Sequence, residues 1–158
     1  APLTFAPLTF APLTFAPSSF TSNRCNSWCA VGGPSPAAAL VAQGCAEIRW
    51  LAGKMGAKPE TLSGLSGTGD IMLTCFVNLS RNRTVGVRLG SGESLESILG
   101  SMTQVAEGVA TAGSVMKLAR RYKVSLPVLT AVARILEEDL APRTAVEEIM
   151  NLPQVPEV

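Results

Sequence analysis

The chain has 158 residues, 47% of them apolar, with 13 basic and 12 acidic side chains. That length suits one ordinary domain, and the near-balanced charge argues against nucleic acid as the main partner, because no basic surplus is there to neutralise phosphates. No uninterrupted apolar run reaches the roughly 18 residues of a membrane span, so no span is expected.

The first 36 residues are unlike the rest. APLTF occurs three times in tandem, followed by APSSF, and Phe5, Phe10, Phe15 and Phe20 all sit in this repeat. A proline in every unit deletes backbone donors and breaks helical turns, and the period is too short for a solenoid unit. Residues 1–36 are therefore expected to be a disordered, low-complexity tail. Arg24 is the single charged side chain before Glu47. An acid-poor opening with Ser and Thr suits an organelle transit peptide. The single arginine and the missing initiator methionine suit an incomplete or mis-joined reading frame equally well.

From Ser35 the pattern changes to that of helices. Ser35 followed by Pro36 reads as a capping hydroxyl and a first-turn proline. Ala37, Val41, Gly44, Ile48, Leu51 and Met55 then recur at steps of three and four, which predicts one long amphipathic helix ending near Gly56. Val109, Ala112, Met116 and Ala119 make a second stripe, and Leu129, Val132, Leu136 and Leu140 a third. Pro142 opens a last helix carrying Ala145, Ile149 and Leu152. With no alternating run of strand type, the fold class is all-α over residues 37–158.

Two segments do not read as core-filling helix. GLSGTGD, Gly64 to Asp70, has glycines that allow close backbone approach, with Asp70 where a helix begins. Read on its own, it is a turn with a capping aspartate. It is not a dinucleotide fingerprint, because Met72 stands where a third glycine or alanine is required, and Gly90-x-Gly92 fails likewise at Leu95. In LSRNRTVG, Leu79 to Gly86, Ser80 caps a helix whose first residues are Arg81 and Asn82. A guanidinium, an amide and free N–H groups at a positive helix end suit a phosphate. A solvated basic helix start is the plainer reading, and Arg83 and Arg88 are expected at the surface. Cys25, Cys29, Cys45 and Cys75, with no histidine in the chain, fit no common zinc spacing, so no metal is expected.

Together these residues carry a resemblance. The stretch from ALVAQGCAEIRW through GLSGTGD and LSRNR, then QVAEGVATAGSVMKLARRYKVSLPVLTAVARIL and MNLPQV, closely resembles the C-terminal domain of NAD-dependent glycerol-3-phosphate dehydrogenases, particularly the plant plastid type. The resemblance implies a multi-helix domain of the 6-phosphogluconate-dehydrogenase-like kind. It also implies an activity in glycerolipid metabolism, the interconversion of dihydroxyacetone phosphate and sn-glycerol 3-phosphate with NAD or NADP. By that resemblance Asp70 positions the reacting oxygen, and Ser80, Arg81 and Asn82 hold the substrate. Arg81, Val105 and Glu107 reach the cofactor. A plastid or cytoplasmic location and a possible homodimer are further implications.

The resemblance also implies parts that these residues do not contain. The family carries a nucleotide-binding Rossmann domain and a catalytic lysine upstream, whereas Lys54, Lys58, Lys117 and Lys123 all lie downstream of that position. The 158 residues alone are therefore expected to be inactive. The alternatives are a non-catalytic helical module that dimerises or binds a partner, and a relative acting on another substrate. The Arg81–Asn82 clamp speaks against the latter.

Overall fold

The computed structural model describes residues 36–76, 80–138 and 140–152. The repeats expected to form a tail and the proposed cap Ser35 lie outside the described residues. Every regular element among those described is helical. In chain order they are α1 (Pro36–Lys54), α2 (Pro59–Ser63), a π-helical turn (Leu65–Gly69), α3 (Asp70–Phe76), α4 (Arg81–Gly90), α5 (Leu95–Ser101), α6 (Glu107–Tyr122), α7 (Pro127–Glu137) and α8 (Pro142–Met150).

The spacing of apolar residues explains which faces are covered. On α1, Val41, Ile48 and Leu51 are buried as the three-and-four pattern requires, joined by Leu40, Cys45 and Ala52. The helix stops where expected: Gly56 takes φ +87°, a conformation costly for any residue with a Cβ, and Ala57 N–H closes back on the Ala52 carbonyl at 2.9 Å. α7 is the central helix, with Val128, Leu129, Val132, Ile135 and Leu136 all buried. It lies between α1, α6 and α8. Ile48 and Leu51 of α1 meet Val115 and Ala119 of α6 and Leu129 of α7 in one cluster, while Leu40 meets Val128, Val132 and Leu136 in another. Fully burying a side chain of this size contributes about 1.5–3 kcal/mol, so these shared clusters hold the layers together. Leu140 and Leu152 fall beyond the ends of α7 and α8 rather than on their stripes, although Leu140 still packs beside Ala131, Ile135 and Ala145.

Helix starts need partners for their first N–H groups. Ser80 and Ser94 supply them locally, each accepting a backbone N–H three residues on at 3.3 Å. α6 and α7 have no such help, because Ala106 and Leu126 occupy their N-cap positions. Among the described residues the two buried polar side chains are Glu47 and Asn82, and each serves one of these helices from a distant part of the chain. Glu47, fully buried on α1, accepts Val128 N–H at 2.9 Å and Leu129 N–H at 3.0 Å, with Gln43 Nε2 donating to it at 3.1 Å. Burial pushes its carboxyl above the ordinary value, and the N–H bonds from Leu129, Val128 and Gln43 oppose that rise.

Two arginines read as surface residues are in fact braces. Arg83 is half-buried, and its Nε donates to the Cys75 carbonyl at 3.1 Å, fastening α4 to α3. Arg88 pairs with Glu93 at 2.6 Å and reaches Ser101 Oγ at 2.6 Å, closing the α4–α5 turn. Cys45 and Cys75 are buried together with Val41, and burial pushes the Cys75 thiol up to about 11. Such a thiol is a poor nucleophile at neutral pH. Among the described residues no three His, Cys, Asp or Glu side chains converge in a way that would hold a metal ion. No helix there is long and apolar enough to cross a membrane.

Candidate functional site

The glycine-rich segment folds back on the helix before it. Gly69 N–H reaches the Gly64 carbonyl five residues earlier at 3.5 Å, and Thr68 Oγ1 donates to the Leu62 carbonyl at 3.0 Å. A Cβ on Gly67 would lie 2.7 Å from two backbone carbons of Leu62, so this position accepts no side chain without displacing backbone. The close approach that these glycines allow is thus to the chain itself. The expected turn with a capping aspartate is corrected accordingly. Asp70 already has helical angles (φ −65°, ψ −41°), and its N–H bonds to the Gly67 carbonyl, so the π-helical turn runs straight into α3. Motif spacing cannot reveal this, because a π turn adds one residue to the repeat without changing the composition. Asp70 is half-buried, and its carboxylate has no hydrogen-bond or ion-pair partner among the described residues.

The second segment is built as expected at its start. Ser80 has extended backbone (φ −76°, ψ 123°), and its hydroxyl accepts Arg83 N–H, which leaves Arg81 as the first residue of α4. Arg81 is exposed, and its Nη1 donates to the Val105 carbonyl at 3.2 Å. Asn82 points the other way. It is 6% exposed, and its Oδ1 accepts Gly108 N–H at 3.0 Å, taking the place of the cap that Ala106 cannot provide. Two adjacent residues of α4 therefore hold both sides of the segment 105–108. Within that segment Val105 is 71% exposed. Glu107 is exposed on the first turn of α6, where a negative charge is favourable, and its carboxylate has no partner among the described residues.

Of the residues singled out by sequence, Ser80, Arg81, Asn82, Val105 and Glu107 are thus brought together around the starts of α4 and α6. Asp70 is the first residue of α3; Arg83 joins the other end of that helix, at Cys75, to α4, and no hydrogen bond or ion pair links Asp70 itself to this group among the described residues. The member that sequence reading missed is Gly108, whose backbone N–H is the anchor. The signal was an alanine in the N-cap position of a long helix, which calls for an acceptor from elsewhere.

These features define a class, an all-helical module with one cationic helix start tied to a second, acidic one. The sequence model for the C-terminus of NAD-dependent glycerol-3-phosphate dehydrogenase matches residues 30–147, and the chain belongs to that family. It is 73% identical over 126 residues to the chloroplastic glycerol-3-phosphate dehydrogenase (NAD(+)) 2 of Arabidopsis thaliana, covering 80% of this chain and 30% of that one. The chloroplastic glycerol-3-phosphate dehydrogenase (NAD(+)) of Oryza sativa subsp. japonica is 74% identical over 121 residues, covering 77% of this chain and 28% of that one. The solved glycerol-3-phosphate dehydrogenase of Coxiella burnetii superposes with a TM-score of 0.74 at 34% identity, over 92% of this chain and 41% of that one. The chain spans about 30% of the length of the chloroplastic relatives it matches.

Proposed function

We propose that this chain supplies the substrate-binding half of a plastid enzyme that interconverts dihydroxyacetone phosphate and sn-glycerol 3-phosphate with NAD(H). The observation that carries the proposal is the Arg81–Val105 contact at 3.2 Å, because it joins the residue suited to a phosphate to the segment that the family resemblance assigns to the nicotinamide nucleotide. In this reading the Arg81 fork and the start of α4 bind the phosphate. Ser80 keeps that start in place, and Asn82 borders it. Asp70 orients the reacting oxygen and its proton donor, the lysine that the family carries upstream. The donor set fits the cofactor: Val105 offers exposed apolar surface to the nicotinamide, and Glu107 offers an acceptor to its hydroxyl or amide groups. NADH, when bound, supplies the hydride.

Exposed apolar side chains support a site completed by further protein. Leu65 (93% exposed), Met72 (50%) and Leu73 (61%) lie within five residues of Asp70, and Val105 (71%) lies two residues before Glu107. Surface of this kind calls for cover, which in this reading comes from a nucleotide-binding half and, in an assembled enzyme, a second copy. The test joins residues 37–158 to the nucleotide-binding part of the Arabidopsis chloroplastic enzyme. In that chimera Arg81→Lys should raise KM for dihydroxyacetone phosphate about tenfold or more, since lysine cannot reproduce the two-pronged contact. An unchanged KM would remove Arg81 from the substrate site.

A further inference from the structure

Asn82 sits beside Arg81 in the sequence but is placed quite differently. Arg81 is exposed, whereas Asn82 is buried, and its side-chain oxygen is committed to the backbone of a residue 26 positions away. That residue, Gly108, holds the second N–H of α6, one of the donors that every helix leaves unmatched at its start. The local N-cap is Ala106, which has no side-chain acceptor. Without Asn82 this buried N–H would face apolar surroundings, since Val85, Ile98 and Ala106 form the adjoining cluster with Met102 and Val109. The Arg81–Val105 contact lies alongside, so α4 grips segment 105–108 at both ends.

We propose that Asn82 is a positioning residue for the cofactor segment. Its Oδ1 fixes the start of α6 relative to α4, so that removing this one oxygen weakens cofactor binding as well as substrate binding. The inference rests on the function proposed above, and it assigns to Asn82 a task that contact with substrate alone would not require. A direct ligand affects the molecule it touches. A brace between two segments affects whatever either segment binds.

Two substitutions separate these roles. Asn82→Asp keeps an oxygen in place for Gly108 N–H, while Asn82→Ala removes it. In the 158-residue chain, amide hydrogen exchange read by NMR should show Gly108 exchanging about tenfold faster in Asn82→Ala, the effect of one lost buried hydrogen bond. In Asn82→Asp it should stay near the parent value, and amides within α7 should be unchanged in both. Gly108 exchange unaffected by Asn82→Ala overturns the brace, and so does uniform acceleration of every amide. In the chimera with the Arabidopsis nucleotide-binding part, NADH affinity should fall about tenfold in Asn82→Ala and be retained in Asn82→Asp, while KM for dihydroxyacetone phosphate rises in both. NADH affinity indifferent to Asn82→Ala overturns the coupling. If the unsubstituted chimera binds no NADH, the functional reading fails, and the Gly108 amide still decides for or against the brace.

Discussion

Glu47 is a single buried side chain on which the start of the central helix depends. Replacing it with leucine, similar in size and without an acceptor, strands Val128 N–H and Leu129 N–H in a fully buried site. An unsatisfied buried donor costs about 1–3 kcal/mol, so two cost about 2–6 kcal/mol. Relief from burying a carboxyl offsets part of this, leaving a net loss of about 1–4 kcal/mol. Whole domains have about 5–15 kcal/mol of stability, so the effect is large. Glu47→Gln keeps one acceptor oxygen and should lose about half as much, by the same reckoning. The assay is urea unfolding of the 158-residue chain followed by helical circular dichroism. The pH dependence has a definite sign. Because Glu47's folded pKa is raised, its stabilising contribution is complete below the ordinary value of 4.5 and is lost as pH rises through the folded value. The advantage of the parent over Glu47→Gln should therefore shrink with rising pH across that window. A Glu47→Leu chain within about 0.5 kcal/mol of the parent, the range of ordinary surface changes, would refute the capping argument.

Two further predictions test other parts of the structure. Lys123 ends α6 with a left-handed backbone (φ 53°), and Val124 N–H closes on the Ala119 carbonyl at 3.1 Å, so Lys123→Gly should raise stability by up to about 1 kcal/mol in thermal melts. Gly67→Ala places a methyl against the Leu62 backbone and should cost about 1–3 kcal/mol, read by the same melts; no loss would mean that the π-helical turn is not rigid.

How much of this was legible in the sequence depended on whether the signal was periodic or spatial. The long first helix, its end at Gly56 and the Ser80 cap follow from apolar spacing and local chemistry, which neighbouring residues determine. The π-helical turn was not legible, because GLSGTG has the composition of a loop and the contact that shapes it is with the Leu62 backbone. Nothing in its local sequence marks Glu47 as interior, although it is a fully buried side chain. Its partners, Val128 and Leu129, lie 81 and 82 residues away. Arg83 and Arg88 looked solvated because their acceptors, the Cys75 carbonyl and Ser101 Oγ, are not within a helical turn of them. The family resemblance marked Arg81, Asn82, Val105 and Glu107 as one site. It did not distinguish an exposed arginine from a buried asparagine, because that difference depends on where α6 begins in space.

Whether these helices serve as the substrate half of a two-part enzyme is decided by one steady-state measurement. NADH oxidation by dihydroxyacetone phosphate is followed for the 158 residues alone and for the chimera that joins residues 37–158 to the Arabidopsis nucleotide-binding part with its lysine. Hydride transfer needs the reacting atoms held about 3–3.5 Å apart, and neither Gly67-x-Gly69 nor Gly90-x-Gly92 completes the glycine fingerprint that fixes a pyrophosphate. The expected result is no turnover by the 158 residues, turnover by the chimera, and loss of that turnover on Asp70→Ala. Sustained turnover by the 158 residues alone, or a chimera indifferent to Asp70→Ala, would contradict the claim.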